Sequence, residues 1–289
     1  MKTEKRVVII SGAGKGLGRS YAHYLAARGL AVVVNNRRHA SDEEASADAV
    51  VREIREAGGD AVAHYGAAED PQTGESLLAL ALEHFGRLDA VIANAGVSEG
   101  ATFSKQSPQS IEQNIAINLL GTAYLLLPTF RHLYEQGSGH ILVSTSAAGL
   151  FGEHGLPAYS ASKAGLIGLM HSLAHEGRSH RVFVNAIAPF ARTQMTEDTL
   201  AAASIPGLDP REVAPVVARL IAADSETSGE VFIAAAGKIA RAAMLCSGAK
   251  NVSDCTDDEL DGVIAGLIAS PVEHEHSSAV AMFKAFIST

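Results

Sequence analysis

Short β-branched runs alternate with amphipathic stretches along most of the chain, and this alternation constrains the fold more than any other feature. The runs have the length of buried strands and are Val7–Ile10, Ala31–Asn35, Ala61–His64, Ala90–Ala93, His140–Ser144, Val182–Ile187 and Glu230–Ala234. The stretches between them have helical length and helical patterning, and include 17–28, 41–57, 74–85, 108–134 and 157–176. Such alternation predicts an α/β fold built on one parallel sheet.

We therefore predict a single doubly wound parallel sheet of the Rossmann type in a domain of residues 1–237. Ligands of such sheets bind beyond the carboxyl ends of the strands, at the point where the strand order reverses. Residues 238–289 contain no obvious further strand but two helical candidates, 257–268 and 278–287. We predict that this last part is a helical C-terminal extension.

Composition narrows the class of protein further. The chain has 289 residues, of which 47% are hydrophobic, and this is ample for a core. Its formal net charge of −9 disfavours binding to nucleic acid or to an anionic membrane. No stretch reaches the roughly 18 apolar residues of a spanning helix, and the N-terminal residues carry no secretory pattern, so we expect a cytoplasmic protein. Cys246 and Cys255 lack metal-ligand spacing, and we expect no metal site.

A glycine-rich loop follows the first predicted strand and leads directly into a helix. It reads Ser-Gly-Ala-Gly-Lys-Gly-Leu-Gly over residues 11–18. Glycines allow a tight turn and a close approach to a pyrophosphate, and the free amides at a helix N-terminus favour an anion. The candidate phosphate-binding residues are Gly12, Lys15, Gly16, Leu17 and Gly18. The alternative interpretation is a glycine-rich turn with no ligand.

The end of the second strand bears on which dinucleotide could bind. The sequence here is Asn-Asn-Arg-Arg over residues 35–38, where an NAD enzyme has an acid that binds the adenosine ribose. Asn36 replaces that acid, and Arg37 or Arg38, helped by Lys15, could bind a 2′-phosphate, so NADP is favoured over NAD. The alternative is that the arginines are solvated surface charges. Asn94, Ala95 and Gly96 follow the fourth strand and fit a close approach to the cofactor.

A phenol and an ammonium group lie one helical turn apart at Tyr159 and Lys163. An unperturbed tyrosine ionises near pH ~10 and is a poor base at neutral pH unless a cation lowers its pKa. Lys163 would supply that charge. The pair therefore suits general acid–base chemistry, although Tyr and Lys also meet at this spacing by chance on exposed helices.

The glycine loop, Asn94-Ala95-Gly96, Tyr159 and Lys163 occur in the order and spacing of the short-chain dehydrogenase/reductase family, which the chain resembles from about residue 6 to 237. The resemblance implies a catalytic serine thirteen residues before the tyrosine, which is Ser146 rather than Ser144, and a catalytic asparagine at Asn118. It implies that Ser146 and Tyr159 bind the substrate oxygen while Tyr159 moves a proton and nicotinamide a hydride. Lys163 would hold the nicotinamide ribose, and Asn118 would anchor a proton-relay water.

Several segments look more narrowly like the (3R)-hydroxyacyl-CoA dehydrogenase unit of type 2 multifunctional β-oxidation enzymes, among them 18–22, 32–35, 172–177 and 185–189. This likeness implies a hydrophobic or 3-hydroxyacyl-CoA-like alcohol or ketone. The family's proline–glycine turn reads Pro189-Phe190 here, with Thr193 as the candidate carboxamide contact. The family's substrate loop corresponds to residues 190–206, which include Met195 and Leu200. Family members commonly form homodimers or homotetramers, and the same is expected here.

Two other functions remain open from the sequence. One is a regulatory or scaffold protein that binds the nucleotide without turnover, and the filled Asn118, Ser146, Tyr159 and Lys163 positions argue against it. The other is sugar-nucleotide epimerase or dehydratase chemistry, which needs a substantial substrate domain, and residues 238–289 are short for one. Fold and catalytic residues together host many specificities, so they leave the substrate open.

Overall fold

The computed structural model describes residues 5–38, 44–193, 208–253 and 255–288. The chain divides into two compact units, Met1–Arg241 and Ala242–Thr289. Most of the first unit is an eight-stranded sheet with helices between successive strands, and the sheet confirms the predicted Rossmann-type α/β class. The start of the predicted 41–57 helix and the substrate-loop residues Met195 and Leu200 lie outside the described residues.

The strands in the middle of the sheet are short and almost entirely buried, as expected for parallel strands covered by helices, whereas the last strand is mostly exposed. They are β1 (Val7–Ile10), β2 (Ala31–Asn35), β3 (Asp60–His64), β4 (Ala90–Ala93), β5 (Gly139–Ser144), β6 (Val182–Pro189), β7 (Val231–Ala235) and β8 (Lys238–Ala242). Each hydrogen-bonded pair from β3 through to β7 is parallel.

The helices of this unit lie between the strands in sequence. They are α1 (Gly16–Ala27), α2 (Ser46–Glu56), α3 (Thr73–Phe85), α4 (Pro108–Asn114), α5 (Gly121–Gln136), α6 (Ala147–Phe151), α7 (Pro157–Gly177) and α8 (Ala214–Leu220). Buried apolar residues of α1, α2 and α8 form one core with β1 and β2. Proline in the first turn of both α4 and α7 fits there because that turn needs no internal N–H donor.

The strand order is β3-β2-β1-β4-β5-β6-β7-β8. The chain therefore builds outward from β1 to β3, crosses back, and continues on the other side of β1 with β4. This reversal leaves a crevice beyond the carboxyl ends of β1 and β4, where the helices leave on opposite faces. The glycine loop follows β1 and Asn94-Ala95-Gly96 follows β4, so the fold brings the two predicted cofactor loops to the same place.

The predicted helix 108–134 is not one continuous α-helix in the structure. Between α4 and α5 the chain makes a π-helical turn, Ile115–Leu120, which includes Asn118. Such turns occur mostly as single insertions in α-helices and often lie at functional sites. The helical periodicity of the sequence extends through this segment, so it does not reveal the turn.

The expectation that no strand follows Gly237 was wrong. Ala236 and Gly237 both have positive φ, at 48° and 69°, and form a two-residue turn from β7 into β8. A connection this short joins antiparallel strands, and positive φ at both positions is typical of hairpin turns. Alanine is unusual in such a turn, which is why the sequence did not suggest a hairpin.

The second unit contains α9 (Asp257–Ala269) and α10 (Ala279–Ile287), which confirm the predicted helical C-terminal part. Thr256 and Glu259 form a reciprocal capping box at the start of α9, and the Ser278 hydroxyl caps α10. Neither helix buries a residue.

Candidate active site

A cavity opens at the carboxyl ends of β1, β4, β5 and β6. Its lining includes most of the predicted cofactor residues, namely Gly12, Lys15, Gly16, Leu17, Asn36, Asn94, Ala95, Gly96, Tyr159, Lys163, Pro189 and Thr193. Ser144, Thr145 and Ala191 also line it, and the sequence did not single them out as site residues. Gly18, Arg37, Asn118 and Ser146 were predicted as site residues but do not form part of the cavity wall.

The glycine loop has the features of an anion site. No side chain caps the N-terminus of α1, and its first turn carries no acidic residue, so its amides face the cavity without a competing negative group. A Cβ atom on Gly12 would lie 2.7 Å from Ala95 Cα, and Gly12 has a φ of 63°. Only glycine allows this conformation together with such close contact between the loops that follow β1 and β4.

Asn94 holds these two loops together. Its side-chain amide donates to the carbonyls of Ser11 and Gly12, at 3.2 Å each. The Ser11 hydroxyl in turn accepts from the backbone amides of Asn94 and Ala95, at 3.0 and 3.1 Å. Gly18 packs against Gly12 and Asn94 with no room for a side chain. The Asn94 side chain and Gly18 thus give the loops their shape, and Asn94 but not Gly18 also lines the cavity.

Lys163 is the most unusual charged group of the cavity. Its side chain is almost fully buried, with the residue 4% exposed, and its ammonium group donates to the Ser144 carbonyl at 2.8 Å. Among the described residues it has no second acceptor, which leaves two of the three ammonium protons available to a ligand. Burial lowers the pKa of Lys163 from 10.5 to about 8.

The sequence favoured Ser146 over Ser144 as the catalytic serine, and in the structure Ser144 contacts Lys163 and Asn94. Its carbonyl is the acceptor for Lys163, and its hydroxyl donates to the Asn94 side chain at 3.3 Å. The neighbouring Thr145 hydroxyl donates to the Lys163 carbonyl at 2.7 Å. The end of β5 therefore fixes the backbone and the ammonium group of Lys163 through two separate hydrogen bonds.

The Tyr159 phenol lies on α7 one turn before Lys163, whose ammonium nitrogen is 5.8 Å from the centre of the ring. Burial raises the pKa of Tyr159, and a hydrogen bond from Ser146 partly opposes this effect. The sequence predicted that Lys163 would lower this pKa, but the net direction is upward and Lys163 is not among its causes. In this structure the phenol therefore keeps its proton at neutral pH.

Ser146 caps the short helix α6, with its hydroxyl accepting from the Ala148 amide at 3.2 Å. A Cβ atom on Gly149 would lie 2.7 Å from the Lys163 backbone carbon, so α6 approaches α7 closely at this point. This packing holds the Ser146 cap beside the turn of α7 that carries Tyr159 and Lys163. Asn118 lies behind these residues and is fully buried, and among the described residues its side chain makes hydrogen bonds to Val97 and Ser162.

The two residues predicted to select the dinucleotide lie at the end of β2. The Asn36 side chain lines the cavity and donates to the Ser46 hydroxyl at 2.8 Å. Arg37 is exposed outside the cavity and pairs with Glu69 at 2.8 Å. Because both partners of this pair are exposed, it contributes little stability and can open at low cost.

An uncapped helix N-terminus, a crevice at the strand reversal, and a buried lysine beside a tyrosine are features expected of a dinucleotide-dependent oxidoreductase. The family model for short chain dehydrogenase matches residues 6–203. The chain belongs to this family, and it is an oxidoreductase.

Relatives cover most of the chain. A putative short-chain type dehydrogenase/reductase of Mycobacterium tuberculosis is 39% identical over 245 residues, which are 83% of this chain and 86% of the relative. The peroxisomal multifunctional enzyme type 2 of Mus musculus is 38% identical over 245 residues, again 83% of this chain but 33% of the mouse enzyme. The chain thus spans about a third of that multifunctional relative.

Among solved structures, a short chain dehydrogenase from Mycobacterium avium superposes with a TM-score of 0.84 at 34% identity. The match covers 93% of this chain and 96% of that one.

Within the described ranges, no helix has both the length and the apolar character needed to cross a membrane. The cytoplasmic location and the lack of a nucleic-acid partner stay predictions.

Replacing the buried lysine is expected to stabilise the protein. The pKa of Lys163 is about 8 in the folded state and 10.5 in an unfolded chain, so folding destabilises the charged form of this lysine. This difference corresponds to about 3 kcal/mol, and the lost hydrogen bond to Ser144 offsets about 1 kcal/mol of it. Lys163→Met should therefore raise the free energy of unfolding at neutral pH by about 2 kcal/mol.

The stability difference between Lys163→Met and the parent should also depend on pH. Between the two pKa values the unfolded parent binds more protons than the folded one, so the parent gains stability as pH rises through this window. The advantage of Lys163→Met should shrink from about pH 7 to about pH 9.5 in urea titrations without cofactor. Lys105→Met, at an exposed lysine, is the control and should change little. An advantage that grows with pH would contradict the argument.

Proposed function

We propose that the protein interconverts a secondary alcohol and a ketone with a nicotinamide cofactor, acting on a hydrophobic or 3-hydroxyacyl-CoA-like substrate. The observation that carries this proposal is the buried ammonium group of Lys163, which lines the cavity with one protein acceptor and lies one turn from the Tyr159 phenol. A buried cation whose protons lack acceptors is costly unless a ligand completes its hydrogen bonds. The hydroxyl groups of a nicotinamide ribose are ligands of that kind.

The lining of the cavity offers groups for each part of a dinucleotide. The uncapped N-terminus of α1, with Gly12, Lys15, Gly16 and Leu17, would hold the pyrophosphate. Asn36 would face the adenosine ribose, Ala95 and Gly96 the middle of the molecule, and Pro189 and Thr193 the nicotinamide carboxamide. When bound, the nicotinamide ring supplies or accepts a hydride. The protein supplies the proton chemistry.

The proton is handled by Tyr159 with Ser146 beside it. Because burial raises the pKa of the phenol, Tyr159 is protonated at neutral pH and can donate to the oxygen of a ketone during reduction. In the oxidation direction the phenolate must remove a proton from the alcohol, and a charged Lys163 would stabilise that phenolate. The pKa of Lys163, about 8, leaves it mostly charged at neutral pH.

Exposed aromatic residues support a hydrophobic substrate. Phe103, Phe151 and Phe190 come after β4, β5 and β6 and are 73%, 75% and 43% exposed. The carboxyl ends of these parallel strands share one edge of the sheet, which is also the edge with the cavity. None of the three lines the cavity, and in this proposal they cover the apolar part of a substrate that extends beyond it. The resemblance to the hydroxyacyl-CoA dehydrogenase units suggests that the ligand is an acyl thioester.

A turnover assay tests this function. We expect cofactor-dependent absorbance changes with 3-hydroxyacyl-CoA substrates, and a kcat/KM that rises with acyl-chain length because the aromatic residues bury the chain. Tyr159→Phe should lower kcat by at least about a thousandfold, because it removes the transferred proton, while the Kd of the cofactor stays within about threefold.

Tyr134→Phe is the matched control, because Tyr134 stacks on His180 and is not part of the cavity lining. Full activity of Tyr159→Phe would refute the assigned proton donor. Tight nucleotide binding without turnover of hydroxyacyl-CoA, steroid or simple alcohol substrates would favour the non-catalytic scaffold function. Turnover of only short, polar alcohols would remove the hydrophobic part of the proposal.

The proposal includes a preference for NADP over NAD. The side chain at the ribose position, Asn36, carries no negative charge that would repel a 2′-phosphate. Arg37 lies next to it, and its exposed pair with Glu69 can open to bind that phosphate at little cost. Lys15 at the cavity adds a second positive charge.

Asn36→Asp should reverse the preference. A carboxylate at this position accepts hydrogen bonds from the ribose hydroxyls of NAD and repels a phosphate, so the NADP-to-NAD ratio of kcat/KM should fall by at least about a hundredfold. Glu69→Gln should raise the same ratio, because it releases Arg37. Initial rates with both cofactors measure the ratios, and Glu44→Gln, at another exposed pair, is the control. A parent enzyme that already prefers NAD would refute this assignment.

A homodimer or homotetramer is the proposed assembly. Leu120 and Leu127, on the π-helical turn and α5, are 41% and 64% exposed. A second copy of the chain would cover them, since families of this fold commonly associate through their long helices. Light scattering at assay concentrations measures the mass, and a monomer would refute the assembly.

A further inference from the structure

We infer that Ser162 is a positioning residue for the reaction proposed above, and that it holds Asn118 and the catalytic turn of α7 in one fixed arrangement. Ser162 lies between Tyr159 and Lys163 in the sequence but on the buried side of the helix. It is fully buried, and it is not part of the cavity lining. It therefore acts through its neighbours and not on a ligand.

The Ser162 hydroxyl makes two hydrogen bonds of opposite sense. It accepts from the Asn118 side-chain amide at 3.0 Å, and it donates to the Tyr159 carbonyl at 2.7 Å. A hydroxyl group can do both at once because it has one proton and two lone pairs. The hydroxyl thus links the π-helical turn to the first turns of α7.

Both side-chain amide protons of Asn118 are engaged within the protein, and its side-chain oxygen accepts from a backbone amide. Its side-chain oxygen accepts from the Val97 amide at 2.8 Å, and its nitrogen donates to the Val97 carbonyl at 3.0 Å as well as to Ser162. Its backbone carbonyl accepts from the Thr122 hydroxyl at 2.8 Å. The side chain of Asn118 is thus a tie between the loop after β4 and α7, and Ser162 is the end of that tie on α7.

Loss of the Ser162 hydroxyl would change the position of the Tyr159 phenol. One Asn118 amide proton would be left buried without an acceptor, and the Tyr159 carbonyl would lose its side-chain donor. Both changes fall on the turn that sets the position of the phenol relative to Ser146 and Lys163. The two hydrogen bonds of the Ser162 hydroxyl do not involve the glycine loop or the N-terminus of α1, so the affinity for the nucleotide should not change.

The test compares Ser162→Ala with Ser160→Ala. Ser160 is two residues away on the same helix, and its buried hydroxyl has no hydrogen-bond partner within the described part of the chain. We expect Ser162→Ala to lower kcat by about tenfold, with the KM of the substrate and the Kd of the cofactor within about twofold of the parent. Ser160→Ala should keep the kcat of the parent.

A double-mutant cycle tests whether Ser162 acts through Asn118. The effects of Ser162→Ala and Asn118→Ala should not multiply, because either change breaks the same tie, and the double variant should resemble the more severe single one. Effects on kcat that multiply fully would overturn the inference. Ser162→Thr keeps the hydroxyl, and a folded Thr variant that is as impaired as the Ala variant would overturn it too.

A substrate-free measurement separates this inference from the proposed function. The titration of the Tyr159 phenol can be followed by tyrosinate absorbance, as the difference between each variant and the same variant carrying Tyr159→Phe. Ser162→Ala and Asn118→Ala should move this titration, and Ser160→Ala should not. If the parent shows no turnover, the proposed function fails, but the titration still decides whether Ser162 positions Tyr159. An unmoved titration in Ser162→Ala overturns the positioning role.

Discussion

The hydrogen bond from the Lys163 ammonium group to the Ser144 carbonyl holds a positive charge where water has little access. An ion in such a place is stable only if the surrounding groups are rigid, because the attraction of one carbonyl depends steeply on distance. The surroundings provide that rigidity: the Thr145 hydroxyl binds the Lys163 backbone, and Gly149 lets α6 pack directly against it. The positions of Tyr159 and Ser146 follow from the same packing.

The two ends of the cavity are connected through one side chain. Asn94 binds the glycine loop through its amide and accepts from the Ser144 hydroxyl through its oxygen. Ser144 also holds Lys163, so the glycine loop and Lys163 share a chain of hydrogen bonds across the carboxyl ends of β1, β4 and β5. Distances across the cavity are therefore set by the sheet, and its parallel register determines where the reacting groups can meet.

The sequence predicts those features of the fold and the site that depend on residues close together along the chain. The strands and the Tyr159–Lys163 pair were visible because burial and helical spacing act over a few residues. The pairing of Arg37 with Glu69, the tie from Asn118 to Ser162 and the role of the Ser144 carbonyl were not visible, because each joins residues that are distant in the sequence. Strand β8 was missed for a different reason: alanine at position 236 adopts a turn conformation that sequence rules reserve for glycine and asparagine.

The cap of α6 restricts what Ser146 can offer to anything bound beside it. The Ser146 oxygen accepts a hydrogen bond from the Ala148 amide, and so its own proton points away from the helix. The helix thereby sets the polarity of the hydroxyl, which faces the site as a donor. Aspartate would cap equally well but would present only lone pairs, and asparagine would cap with one atom and donate with another. A hydroxyl is the side-chain group that can terminate the helix and donate from the same atom, so this position accepts few substitutes.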